Sequence, residues 1–278
     1  MRGVVKLGGA CGNECKGLVR ELAERTRKGE QWLLVHGAGG AMNALCEERG
    51  VPLRHVTSPS GYRSRFVGDV ERALFETAAS RVSRDLLWAL RAEGVRGVAL
   101  FPDLANTAEA ERKDILRSVE DGRVRLLRGN WSGTVTRVET TLLEEAWRKE
   151  MLPILPPLAK DRESGKNLNV DGDRLAAVFA GALGAEVLLI LSNVPGLLAD
   201  PRDATTLIPS GSPETWDSLE NAAQGNMKRK LRACREALEA GVPRVILGDS
   251  RVRRPLEAAL SGRGTHLWNS PSSTVLAG

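Results

Sequence analysis

A run of five aliphatic residues, Val187-Leu188-Leu189-Ile190-Leu191, constrains this chain more than any other feature. A strand with one wet face alternates apolar and polar residues. A strand apolar at every position must be covered on both faces, as in a parallel sheet between helix layers. Further β-rich runs occupy residues 4–7, 32–36, 151–155 and 242–247, and amphipathic helical patterns cover 16–28, 41–49, 173–184 and 225–240. This alternation predicts an α/β fold, a mostly parallel open sheet sandwiched by helices.

The longest helical pattern spans residues 68–93, where Val70, Leu74, Val82, Leu86 and Leu90 recur at three-to-four spacing. It suits a core-facing helix or a subunit interface. Residues 116–138 alternate apolar and polar, with Asp121-Gly122 and Gly129-Asn130 as turns, which suggests a small antiparallel hairpin lid. Residues 160–166 read as a loop, and 265–268 as a last edge strand. A lobe boundary is expected near 171–174, giving an N-terminal lobe of residues 1–172 and a C-terminal lobe of 173–278.

Composition narrows the function classes. Hydrophobic residues make up 42% and charged residues 27% of 278, as in ordinary globular chains. No apolar run nears the ~20 residues of a membrane span, and no signal-peptide core precedes the first strand, so a cytoplasmic protein is expected. Cys11, Cys15, Cys46 and Cys234 lack the spacing of a zinc site and read as free thiols. The net charge of +5 calls for an anionic ligand or partner. Aromatics are only 4%, too few for base-stacking platforms, so an acidic protein or substrate is expected rather than nucleic acid.

Several motifs carry chemistry. Lys6-Leu7-Gly8-Gly9 and His36-Gly37-Ala38-Gly39-Gly40 each place a glycine turn after a strand. Backbone N–H groups there can approach phosphate oxygens, and the second turn opens a helix, itself an anion site. Position 42 is Met, which excludes a dinucleotide fingerprint. His36 more naturally orients its turn than moves protons. Asn167-Leu168-Asn169-Val170-Asp171 leads into a helix. Asn169 or Asp171 could cap it; alternatively Asn167 contacts a ligand and Asp171 holds lysines. A carboxylate about 4 Å from an ammonium is worth roughly 4 kcal/mol at an effective dielectric of ~20. Met227-Lys228-Arg229-Lys230 puts three cations at a helix start, against the helix dipole, which suggests an anion to receive one of them. The loop from Ser192 to Leu198 follows the aliphatic strand, where open α/β sheets bind ligands. Gly61-Tyr62-Arg63-Ser64-Arg65 supplies arginines suited to a carboxylate.

In this order, these motifs resemble the amino acid kinase superfamily, and acetylglutamate kinase and its relatives in particular. The resemblance implies that Lys6 and Lys230 are catalytic, with Lys228 as a rival to Lys230, and that Asp171 positions the lysines. It implies phosphate and nucleotide contacts at Gly8, Gly9, Ser192, Asn193, Gly196 and Leu197. Gly39, Gly40, Arg63, Ser64, Arg65 and Asn167 would hold the acceptor. Thr57-Ser58-Pro59-Ser60-Gly61-Tyr62-Arg63-Ser64-Arg65-Phe66 departs from the ordinary acetylglutamate kinase pattern. It resembles the branch that phosphorylates aminoadipate or glutamate carried on a small acidic amino-group carrier protein. ATP and Mg²⁺ are the implied cofactors, and a homodimer the implied assembly, with no nucleic acid or membrane. Two other readings stay open: acetylglutamate kinase proper, and an inactive kinase fold that senses an amino acid.

Overall fold

A computed structural model describes residues 1–59, 61, 63–120 and 123–269, with Arg63 described by its backbone alone. The chain opens with two strand-turn-helix units, β1 (Arg2–Leu7), α1 (Lys16–Arg27), β2 (Gln31–His36) and α2 (Gly39–Glu48). A short hairpin of β3 (His55–Thr57) and β4 (Arg63–Arg65) leads to α3 (Asp69–Ala92), β5 (Arg96–Ala99) and the single turn α4 (Pro102–Ala105). Next come β6 (Ala108–Arg112), β7 (Leu116–Glu120), β8 (Arg123–Leu127), β9 (Ser132–Val138), α5 (Thr141–Arg148), β10 (Met151–Leu155), β11 (Leu158–Asp161) and β12 (Asn167–Val170). The last part holds α6 (Gly172–Ala182), β13 (Val187–Ser192), β14 (Ser210–Gly211), α7 (Trp216–Ala222), α8 (Asn226–Glu239), β15 (Arg244–Asp249), α9 (Pro255–Leu260) and β16 (Thr265–Trp268).

Eight strands form one sheet in the order β14-β16-β15-β13-β1-β2-β10-β5. All of its pairings are parallel except β15 with β16. Every residue of β13 is buried, as its unbroken aliphatic run demands. One core cluster lies on the α6 and α8 side, joining Val4, Val35, Phe179, Ile190 and Leu238. A second, with Val5, Leu22, Leu34, Leu90 and Leu189, lies on the α1 and α3 side. The chain runs from β1 toward β2, β5 and β10 on one side, then returns through β13 and β15 on the other. Strand order therefore reverses beside β1, the position at which open α/β sheets form a ligand crevice at their carboxyl ends.

Some elements differ from the sequence expectation. The alternating stretch 116–138 divides: β7 and β8 form a hairpin of their own, and β9 joins a closed four-stranded barrel with β6, β11 and β12. The stretch 160–166, expected as a loop, contributes its first residues to β11. The expected turn at Asp121-Gly122 lies outside the described residues. β16 is inside the sheet edge, covered by the two-residue β14. The sheet runs without a break from strands of residues 1–172 to those of 173–269, through five paired positions of β1 and β13.

Candidate active site

The carboxyl ends of β1 and β2 carry the two glycine turns, packed backbone against backbone. A Cβ on Gly9 would lie 2.3 Å from the carbonyl carbon of Gly37, and one on Gly37 would lie 2.4 Å from the nitrogen of Gly9. Only glycine permits this approach. Gly40 N donates to the Gly9 carbonyl at 2.5 Å, so the second turn leans on the first. α2 starts there with no side-chain cap; the Gly9 carbonyl takes up the Gly40 N–H instead.

His36 ends β2 and is fully buried. Its Nε2 lies 2.8 Å from Ser83 Oγ on α3, and its Nδ1 lies 3.2 Å from the Gly37 carbonyl. Burial pushes its pKa down to about 4, so it is neutral at pH 7. It ties the second glycine turn to α3.

Beneath the turns lies a three-membered ion cluster. Lys6 Nζ is 2.7 Å from Asp173 Oδ1, and Lys230 Nζ is 3.1 Å from Asp173 Oδ2. The side chains of Lys6, Asp173 and Lys230 are only 8, 10 and 12% exposed, so one desolvated carboxylate bridges two ammonium groups. Burial alone would raise the Asp173 carboxyl, but Lys230 and Lys6 outweigh it and hold the group well below the usual carboxylate range. Burial lowers the Lys6 ammonium, with Asp173 opposing that shift. The cluster joins β1, the start of α6 and the second turn of α8, so the sheet's central strand and two helices converge on it.

A cavity of about 1350 Å³ opens above the cluster. Among the described residues, seven Lys or Arg side chains and only two carboxylates line it, a strong bias toward anions. Its wall includes Gly8, Gly9, Gly39, Gly40, Ser192, Asn193, Gly196, Leu197, Ser64 and Arg65. Arg65 donates from Nη2 to Asn43, while its buried Nε has no hydrogen-bond partner among the described residues. The Arg63 side chain lies outside the described residues. Lys228 is exposed on α8 and Lys230 faces the cavity, which separates the two rivals.

Two expected residues are displaced, both by two positions. Asp171 does not hold the lysines; Asp173 does. Asp171 Oδ1 instead accepts from the backbone N–H groups of Asp173 and Arg174 at 2.9 and 3.2 Å, capping α6. Asn169 lines the cavity and Asn167 does not. The two asparagines share one face of β12, and a shift of two strand residues carries a side chain about 7 Å along the strand. Asn167 sits buried at the far end, its Oδ1 without a hydrogen-bond partner among the described residues. Asn169 and Asp173 were missed although the sequence shows both, because each has an equivalent residue two positions earlier.

A protein named [LysW]-aminoadipate kinase from Deinococcus radiodurans is 43% identical over 263 residues, 94% of this chain and 90% of that one. One of the same name from Thermus thermophilus is 37% identical over 265 residues, 94% of this chain and 98% of that one. A Sulfurisphaera tokodaii protein named [LysW]-aminoadipate/[LysW]-glutamate kinase is 32% identical, covering 94% of this chain and 98% of its own length. Among solved structures, a Streptococcus mutans protein aligns with a TM-score of 0.74 at 24% identity over 96% of this chain and 98% of that one. N-acetylglutamate synthase from Neisseria gonorrhoeae aligns at 0.78 and 23% identity, over 97% of this chain and 59% of that one. At such identity these two speak for the fold alone. The amino acid kinase family matches residues 1–249, a span that runs from β1 through the Lys6–Asp173–Lys230 cluster to the end of β15, and the chain belongs to that family.

Proposed function

We propose that this chain transfers the γ-phosphoryl group of ATP to the side-chain carboxylate of aminoadipate, or of glutamate, held on an amino-group carrier protein. The observation that carries the reading is the desolvated pair of ammonium groups on Asp173 at the floor of an anion-biased cavity. The names of the relatives support the acceptor, two of them for aminoadipate alone.

The acceptor carboxyl has an ordinary pKa of about 4.3 and is already ionised at neutral pH. One of its oxygens attacks the γ-phosphorus, the bond to the bridging oxygen breaks, and ADP leaves with that electron pair. The products are an acyl phosphate and ADP. No proton moves, so no general base is required, and the neutral His36 engaged with Ser83 is not asked to act as one. The chain's task is to align two anions and to offset the charge on the transferring group. Lys6 and Lys230 do the second, held apart and oriented by Asp173. Gly9 and Gly39 offer backbone donors, Gly8 and Gly40 shape the turns through their own hydrogen bonds, Arg65, Ser64 and Asn169 face the acceptor, and its motif assigns Arg63 to the acceptor too. Ser192, Asn193, Gly196 and Leu197 flank the nucleotide.

On this reading residues 1–172 serve the acceptor and 173–278 the nucleotide, in a cytoplasmic homodimer. No helix of the described residues is long and apolar enough to cross a membrane. Mg²⁺ is expected on the nucleotide's own phosphates. Among the described residues no group of three His, Cys, Asp or Glu could hold a metal, and Asp173 is occupied by two ammonium groups. The donor set therefore does not fit a protein-held divalent ion.

The test compares kcat/KM for carrier-linked aminoadipate with that for free N-acetyl-aminoadipate and N-acetylglutamate. The carrier-linked form should win by orders of magnitude. The advantage should shrink with salt, as the Debye length falls from about 10 Å at 0.1 M to about 3 Å at 1 M. Equal use of free and carried substrates at every salt concentration would overturn the carrier reading.

A further inference from the structure

The β7–β8 hairpin is a two-stranded sheet separate from both the main sheet and the barrel. Its pairing sets Val119 opposite Val124 and Arg117 opposite Leu126, which places these four on one face. The other face is turned to the protein: Ser118 is buried, β7 packs on β3, and Glu120 pairs with Arg54 at 3.6 Å. On the outer face Val119, Val124 and Leu126 are 38, 56 and 58% exposed. An isolated hairpin gains little stability by itself, so three apolar side chains left in water on its free face point to a partner. Around them stand arginines. Arg117 on this face and Arg128 just past the end of β8 are exposed and make no ion pair among the described residues, while Arg123 and Arg125 fall on the inner side with Glu120 and Ser118.

We propose that this outer face docks the body of an acidic protein whose extended end delivers the acceptor carboxylate to Lys6 and Lys230. The proposal rests on the carrier-linked reading above and adds the surface that reading lacks. An apolar centre within a cationic rim fits an apolar patch ringed by Asp and Glu. The hairpin is also in the right place. Leu116, at its base, lines the cavity, and the inner face rests on β3, partner of the strand that holds Arg63 to Arg65. A five-residue strand spans about 17 Å. A partner centred on Val124 and Leu126 thus sits within reach of the cavity through about five extended residues of its tail. A second copy of this chain fits poorly, because arginine rims would meet on molecules of net charge +5.

The test uses the intact carrier protein loaded with aminoadipate and a peptide of that carrier's last six residues bearing the same acceptor. Val124→Asp with Leu126→Asp, and separately Arg117→Glu with Arg128→Glu, should each lower kcat/KM on the intact carrier at least tenfold and leave the rate on the peptide unchanged. The unchanged peptide rate also reports an intact fold. Normal carrier use by both variants would overturn the docking face while leaving the carrier reading standing. No use of the carrier by the unaltered enzyme would overturn both. Equal losses on carrier and peptide would place the hairpin in the chemistry and overturn a docking role. Loss of self-association in the variants with carrier use unchanged would assign the face to a second copy and overturn it as well.

Discussion

Asp173 is the residue on which the site turns. Two ammonium groups with side chains about one-tenth exposed share its carboxylate, so removing its charge leaves both without a counter-ion. Breaking a buried pair in this way costs about 3–5 kcal/mol. Asp173→Asn should therefore lower stability in urea by about 3 kcal/mol and reduce kcat at least about a hundredfold. Asp171→Ala should cost about 1 kcal/mol, the worth of a helix cap, and change kcat only a few-fold. A larger kcat loss at Asp171 would return the organising role to it. The sequence makes Lys6 and the pair Lys228/Lys230 legible, because lysine beside a glycine turn or at a helix start is out of place without an anion. It does not make the carboxylate legible. Val170-Asp171-Gly172-Asp173 offers two acids two residues apart, and the backbone path from β12 into α6 decides between them. Asp171 sits at φ −67°, ψ 117°, where its side chain folds onto its own helix. Asp173, in the first turn, reaches across to β1 and α8.

At the scale of elements, the contact between His36 and Ser83 pins the second glycine turn to α3, and it depends on pH. Burial depresses the folded-state pKa of His36 from 6.5 to about 4. Between those values the unfolded chain binds a proton that the folded chain does not. Stability is therefore complete above about pH 6.5 and declines as pH falls toward 4, by roughly 3 kcal/mol over the whole window. Between pH 7 and pH 5 the unaltered protein should lose about 2 kcal/mol more than His36→Gln, measured by urea denaturation at both pH values. Parallel losses would mean that His36 is not buried as neutral imidazole in solution. Elements with strong patterns are legible: the 24-residue α3 and the aliphatic β13 lie where their periodicity puts them. The barrel is not. β6 reads Ala-Glu-Ala-Glu-Arg, all good helix formers, and becomes a strand only through pairing with β9 and β11.

For the whole molecule, the continuous sheet argues against two independently folding lobes. β1 pairs with β2 on one side and β13 on the other, and one core cluster spans both halves of the chain. Urea unfolding should be a single cooperative transition despite the chain's length. Buried Trp32 and Trp216 report on opposite halves. Variants that keep only one of the two should share a midpoint, and separated midpoints would show that the halves unfold independently. The same pairing governs how the protein comes off the ribosome. β1 gains its first neighbour once residue 36 is made, and its second only about 150 residues later, roughly 8–30 s of synthesis. Throughout that interval the strand bearing Lys6 has an open, apolar-flanked edge able to pair with another nascent chain. Asp173 is made shortly before β13 and Lys230 well after it, so no chain shorter than 230 residues holds the whole ion cluster. Slower translation lengthens the exposed interval, and with it the demand on chaperones.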